Sequence, residues 1–249
     1  PRMTIADLNS LTRYLTNTTP SDAKLSAANL LILTNKYYED IIGRIITETA
    51  ASKWPHGDFN YTAFPSFTVS LTAGTQVYNL RDWGTSDEET VFTILGVEVL
   101  DNNSNYQLLN RITLDDIHAL GSSQSEYRET NGLPTEYELR DNFILLYPAP
   151  AAANVTLTAG LRIFHLRTAD RYTAGEVTTG TKEPGFPSPW HDAISYGIAS
   201  DHWEANGEHG RADRFRNEYE KRIALMLKFM SNRDQAIHSR LETITSEFR

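Results

Sequence analysis

The sequence predicts an α+β protein: an α-helical bundle formed by N- and C-terminal helices, with an inserted antiparallel β domain. Three observations carry this. Apolar residues recur at a 3.6-residue period over roughly the first fifty positions and again over the last sixty. Between them lie short runs rich in β-branched and aromatic residues, punctuated by Gly, Pro, Asn and Asp at hairpin intervals. The N-terminal apolar stripe is too wide to cover itself, so it is expected to pack on the C-terminal helices and leave the β region as an insertion. The expected divisions are 1–53 for the N-terminal helices, 54–187 for the β domain, 188–231 for the C-terminal helices and 232–249 for a docking segment.

In chain order, Thr4 caps a short amphipathic helix carrying Ile5, Leu8, Leu11 and Leu15. After Thr19-Pro20, Ser21-Asp22 offers a second cap. The stripe Leu25, Leu30, Leu33, Tyr37, Ile41, Ile42, Ile45 and Ile46 then predicts a long helix to about Ala50. Phe67–Leu71, Gln76–Leu80 and Val91–Leu100 read as strands. The turn signal Asp101-Asn102-Asn103-Ser104-Asn105 should return Tyr106–Arg111 beside Val97-Glu98-Val99. Leu114–Leu120 reads as a short helix and Gly121–Gly132 as a polar loop. Asp141-Asn142 is a two-residue turn joining Thr135–Arg140 to Phe143–Tyr147, and Pro148-Ala149-Pro150 ends that strand. Val155–Leu166 alternates as one long final strand, and Thr168–Pro187 reads as a loop. Ser188-Pro189 starts a helix that Asn206-Gly207 stops. The last long helix, from about Arg211, shows Phe215, Tyr219, Ile223, Met226, Leu227 and Met230 on one side and weakens beyond Ser231.

Composition excludes several chemistries. With 249 residues, 40% apolar and no cysteine, the chain can bury a substantial core and has no disulfide, thiolate nucleophile or Cys-ligated metal. A net charge of −9 argues against duplex binding by counterion release, and suits a surface that DNA slides past. No apolar run is long enough to span a bilayer. The opening residues lack a secretory signal, and Pro1 fits removal of an initiator Met, so synthesis in a cytoplasm is expected. Asn17, Asn60, Asn102 and Asn154 fit the glycosylation pattern but carry no weight without such a signal.

Catalytic signatures are missing: no G-x-S-x-G, H-E-x-x-H, G-x-x-x-x-G-K or G-x-G-x-x-G. His191-Asp192 and Asp201-His202 share one predicted helix, yet the two imidazoles would stand about 16 Å apart along it, too far to share one metal. Helix-surface or interface polarity beside Trp190 and Trp203 is the plainer reading. Asp115, Asp116 and His118 could hold a cation, though carboxylates at a helix start serve the dipole equally. The run Asp87-Glu88-Glu89 is a solvated loop tip or a channel- or partner-facing acid patch. The final segment sets Arg233, Arg240 and Arg249 among Ile237, Leu241, Ile244 and Phe248, without Gly or Pro. It reads either as the last helix continuing or as a tail that orders on a partner. No cofactor is expected.

The run Phe143-Ile144-Leu145-Leu146-Tyr147-Pro148-Ala149-Pro150, followed by Thr181-Lys182-Glu183-Pro184-Gly185-Phe186-Pro187-Ser188-Pro189-Trp190-His191, resembles the middle of tailed-bacteriophage head-to-tail adaptor proteins. The opening is similar too, with a helix after Pro20 and Trp54 before the first strand. So is the C-terminal pattern, with Gly197 to Gly210 followed by Arg211 to Asp234. The resemblance implies a non-enzymatic virion protein at the head-to-tail junction. Its partners would be the portal protein, the next tail component (nozzle, tube or stopper), a dodecameric ring of its own copies, and transiently the duplex DNA in the channel. It implies portal docking by the C-terminal segment: Arg233, Ile237, Arg240, Leu241, Ile244, Phe248 and Arg249. In a closed ring each copy needs two different faces, for which Tyr61, Phe64, Tyr127, Tyr137 and Tyr172 are candidates. Two other classes are a carbohydrate- or receptor-binding β module and a cell-wall hydrolase using Asp115 and Glu138.

Overall fold

The computed structural model describes residues 2–49, 56–61, 65–80, 91–113, 115 and 130–246, with side chains through residue 231 apart from 91 and 92. The chain forms two compact units, one of Pro1–Thr62 with Thr168–Arg249 and one of Ala63–Arg167. Helices and antiparallel sheets make the fold α+β.

The helical unit begins with α1 (Ile5–Thr16), capped as its sequence predicts. Thr4 Oγ1 accepts from Asp7 N, and the Asp7 carboxylate accepts from Thr4 N at 2.9 Å, which holds Asp7 below the usual carboxylate range. α2 (Ala27–Thr49) starts later than the Ser21-Asp22 cap predicts. Asp22 Oδ1 is already engaged by Lys24 N at 2.8 Å, and Ser26 Oγ accepts from Asn29 N instead. One face of α2 buries Leu30, Tyr38, Ile41, Ile42, Ile45 and Ile46.

After a crossing from the other unit come a short helix α3 (Ala174–Thr179), a 3-10 turn (Ser188–Trp190), α4 (Ala193–Ala205) and α5 (His209–Ser246). The Thr168–Pro187 segment, expected to be a loop, therefore contains a helix. α3 has its own capping box, from Thr173 and Glu176, and buries none of its residues. It lacks the apolar stripe by which a helix shows itself in sequence.

α4 is the central helix, contacting α1, α2 and α5. Its buried residues are mostly small, which lets its neighbours approach closely. Ser195 Oγ donates to Leu8 O and Ser200 Oγ to Ala212 O, each at 3.1 Å, while Trp203 Nε1 reaches Leu15 O. A Cβ on Gly197 would lie 2.4 Å from the Tyr37 ring, so the α2–α4 approach requires glycine there.

In the β unit, β1 (Ser66–Val69), β3 (Val91–Leu100), β4 (Tyr106–Leu108) and β10 (Leu161–Arg167) form a sheet in the order β1-β10-β3-β4. A second sheet has the order β2-β8-β7-β5, from β2 (Val77–Asn79), β5 (Asn110–Ile112), β7 (Glu136–Arg140) and β8 (Phe143–Tyr147). β6 (Asn131–Gly132) pairs with β9 (Ala149–Pro150). Val97, Val99, Leu161 and Ile163 from the first sheet share one core with Tyr78, Tyr137, Ile144 and Leu146 from the second, so two sheets pack face to face.

The β7–β8 hairpin turns at Asp141-Asn142 as predicted, Asp141 taking a left-handed φ of 53°. The predicted return of Tyr106–Arg111 beside β3 holds through Leu109, whose N donates to Val97 O. Asn110–Ile112 crosses to the other sheet and runs parallel to β7, and β6–β9 is also parallel, so the sheets are not purely antiparallel. The final strand starts at Leu161 rather than Val155. Val155 N and Asn154 N both turn back to Ala151 O, and Gly160 sits where a Cβ would meet Thr156 O at 1.9 Å. The predicted helix Leu114–Leu120 lies outside the described residues apart from Asp115.

Candidate assembly surface

The segment Thr181–His191, which carries much of the family likeness, closes over a buried polar knot. Tyr38 Oη donates to Asp58 Oδ2 at 2.5 Å and accepts from Gly185 N at 2.9 Å and Asn60 Nδ2 at 3.1 Å. Asp58 also accepts from Asp170 N at 2.7 Å and Asn60 N at 2.9 Å, and Phe59 N donates to Gly185 O. Burial raises Asp58 above its ordinary range against these hydrogen bonds, and burial together with the Asp58 charge pushes the Tyr38 hydroxyl up. Gly185 is obligatory: a Cβ there would sit 1.6 Å from Asp58 Oδ1. Sequence reading misses the knot because its members span residues 38 to 185. The glycine between two prolines at 184 and 187 was the available signal.

His191, Asp192, Asp201 and His202, weighed as metal ligands, each have a separate partner. His191 Nε2 lies 2.8 Å from Phe186 O and Nδ1 is 3.2 Å from Met3 O, which pins the N-terminal segment. Asp192 pairs with Arg222 at 2.8 Å; burial raises it and Arg222 opposes the rise. Asp201 pairs with Lys36 at 2.6 Å. His202, lowered by burial, has Nε2 2.9 Å from Asn206 Nδ2. Among the described residues no cluster of His, Asp or Glu could hold a metal ion.

Glu138, weighed as a hydrolytic carboxylate, is buried, paired with Arg140 at 2.8 Å and bonded by Tyr147 Oη at 3.0 Å. Asp115 is exposed, while Asp116 and His118 lie outside the described residues. So do Asp87, Glu88, Glu89, Phe64 and Tyr127. Of the other aromatic face candidates, Tyr61 is half-buried, but Tyr137 and Tyr172 are core residues at 4% and 2% exposure. Tyr137 faces inward because its register on β7 places it opposite Leu146.

α5 is 38 residues long, about 57 Å, and runs without interruption through Arg233, Ile237, Arg240, Leu241 and Ile244. Phe248 and Arg249 lie outside the described residues. The stripe that α5 buries, Tyr219, Ile223, Met226 and Met230, continues in sequence at the same three- and four-residue spacing as Ile237, Leu241 and Ile244. Sequence reading also misses the exposed pair Leu225 and Phe229, the latter with its ring 5.2 Å from Trp190.

The polar clusters are thus packing devices inside an α+β frame, and exposed Leu225 and Phe229 lie on its longest helix. The chain belongs to the SU10 adaptor protein family, whose model matches residues 3–242. That family is one of structural bacteriophage adaptors and not a class of enzymes, which makes this a virion protein. No curated protein matches the chain.

Proposed function

We propose that the protein forms a closed ring, a dodecamer, beneath the portal at the head-to-tail junction. There it extends the DNA channel and offers a platform to the next tail component. Its mechanism is geometric. The net charge of −9 would let packaged duplex pass with only transient, non-specific proximity. The acidic run Asp87-Glu88-Glu89 is a candidate for the channel- or partner-facing surface.

The observation that supports this reading most is the family match over residues 3–242, joined to a helix that carries its apolar spacing on toward the C-terminus. Arg233, Ile237, Arg240, Leu241, Ile244, Phe248 and Arg249 are the proposed portal-docking residues. Truncation after Ser231 leaves Met230 and the buried stripe before it in place. The truncated chain should keep its thermal transition and lose co-sedimentation with portal particles. Attachment at wild-type strength by the truncated chain would sink the docking role.

A further inference from the structure

Two rows of exposed side chains on the helical unit take no part in its packing. On α5, Arg214, Lys221 and Lys228 are exposed and stand seven residues apart, so they form one row on the face opposite Tyr219, Ile223, Met226 and Met230. Exposed Asn217 and Leu225 flank the row, and half-buried Glu218 stands beside it between Arg214 and Lys221. Among the described residues Arg214 and Lys228 have no ion pair, and Lys221 has only a contact of 4.0 Å to Glu218. On α1, Asp7, Ser10 and Tyr14 form an exposed row, with Tyr14 at 82% exposure.

α1 and α5 both pack on α4, through Ser195 and Ser200 respectively. Five residues of helix turn those two side chains about 140° apart, so the faces lie on well-separated sides of the unit. Two different faces are what a head-to-tail ring requires of each copy. We propose that the cationic row of α5 on one copy docks against the α1 row of the next, with Asp7 facing one cation and the Tyr14 ring another.

The spacing matches. Asp7 and Tyr14 are seven residues apart, about 10 Å, the same interval as between successive cations of the row. A carboxylate and the π-face of a tyrosine both attract a cation, and Leu225 supplies an apolar contact beside them. Copies of a chain with net charge −9 repel one another, so a positive face on each is needed for the contact. The inference rests on the ring reading and specifies its contact.

The chain contains no cysteine, which makes disulfide trapping clean. Tyr14→Cys and Leu225→Cys variants, both at exposed sites, should give a mixed cross-linked dimer when combined under mild oxidation. A chain carrying both changes should give a ladder of multimers on a non-reducing gel. Reversing charge with Lys221→Glu and Lys228→Glu should raise the concentration for half-assembly by about tenfold or more, with the monomer's thermal transition kept. Copies that assemble without the mixed product overturn this contact and leave the ring standing. Copies that stay monomeric, with or without portal, overturn both. Unchanged assembly by the charge-reversed chain, with loss of duplex DNA retention instead, would assign the row to nucleic acid and overturn the contact.

Discussion

The helical unit buries a carboxylate, Asp58, which with Tyr38 and Asn60 forms a hydrogen-bonded knot joining α2, the chain at 58–60, Asp170 and the 183–186 segment. Between the two sheets of the β unit the core is aliphatic and aromatic, and the ion pairs Glu138–Arg140, with its buried carboxylate, and Glu98–Arg162 stand on the opposite faces of their strands. There Arg162 pairs with Glu98 and stacks on Tyr106, its guanidinium 3.7 Å from the ring centroid. The difference shows how irregular chain is held. The two sheets satisfy their own backbone groups, so burial alone can fill the space between them. The segments around the helices have no ladder, and a buried polar knot supplies their partners.

The contrast should be most visible where the knot admits no extra atom. Gly185→Ala should destabilise the protein by about 4 kcal/mol or prevent folding, because the new methyl displaces Asp58 from its buried, hydrogen-bonded position. Gly43→Ala, on α2 with no atom within 4 Å of the added Cβ, should be neutral or stabilise by about 0.5–1 kcal/mol. Urea unfolding of the pair measures both, and equal effects would break the distinction.

In the β unit, Ile163→Ala at a fully buried position should cost about 3 kcal/mol through lost burial and a cavity. Hydrogen exchange should show Ile163→Ala loosening the strands on either side of it, while Tyr38→Phe loosens residues 58–60 and 183–186 together. A Tyr38→Phe variant with one local change would show that the knot does not act as a unit.

The smallest expected effect is on pH dependence. Burial raises Asp58 in the folded state above its unfolded value near 3.8. Its contribution to stability is therefore fully present below that value and falls as pH rises through the folded value. Stability measured from pH 3.5 upward should carry this decline in the wild type and lack it in Asp58→Asn. Parallel curves for the two proteins would contradict the assignment.

Much of the frame was legible in the sequence because burial writes periodicity. The α2 stripe from Leu30 to Ile46, the N-cap at Thr4, the Asp141-Asn142 turn and the stop of α4 at Asn206-Gly207 all follow from local chemistry, whereas the helix expected from Ser188 opens as a 3-10 turn and becomes α-helical only at Ala193. α3 was not legible, since it buries nothing and so has no stripe. The move of Asn110–Ile112 to the second sheet was hidden because strand partners are chosen by tertiary packing. The proposed assembly surface was half legible. The spacing of Ile237, Leu241 and Ile244 shows in the sequence, whereas the row Arg214, Lys221 and Lys228 stands out only once the buried side of α5 is known.

The most direct test of the adaptor reading is electron microscopy of the purified chain, alone and mixed with portal. The account predicts a closed ring seated coaxially on the portal, with twelve copies in class averages. Particles that remain strictly monomeric in both conditions would contradict it.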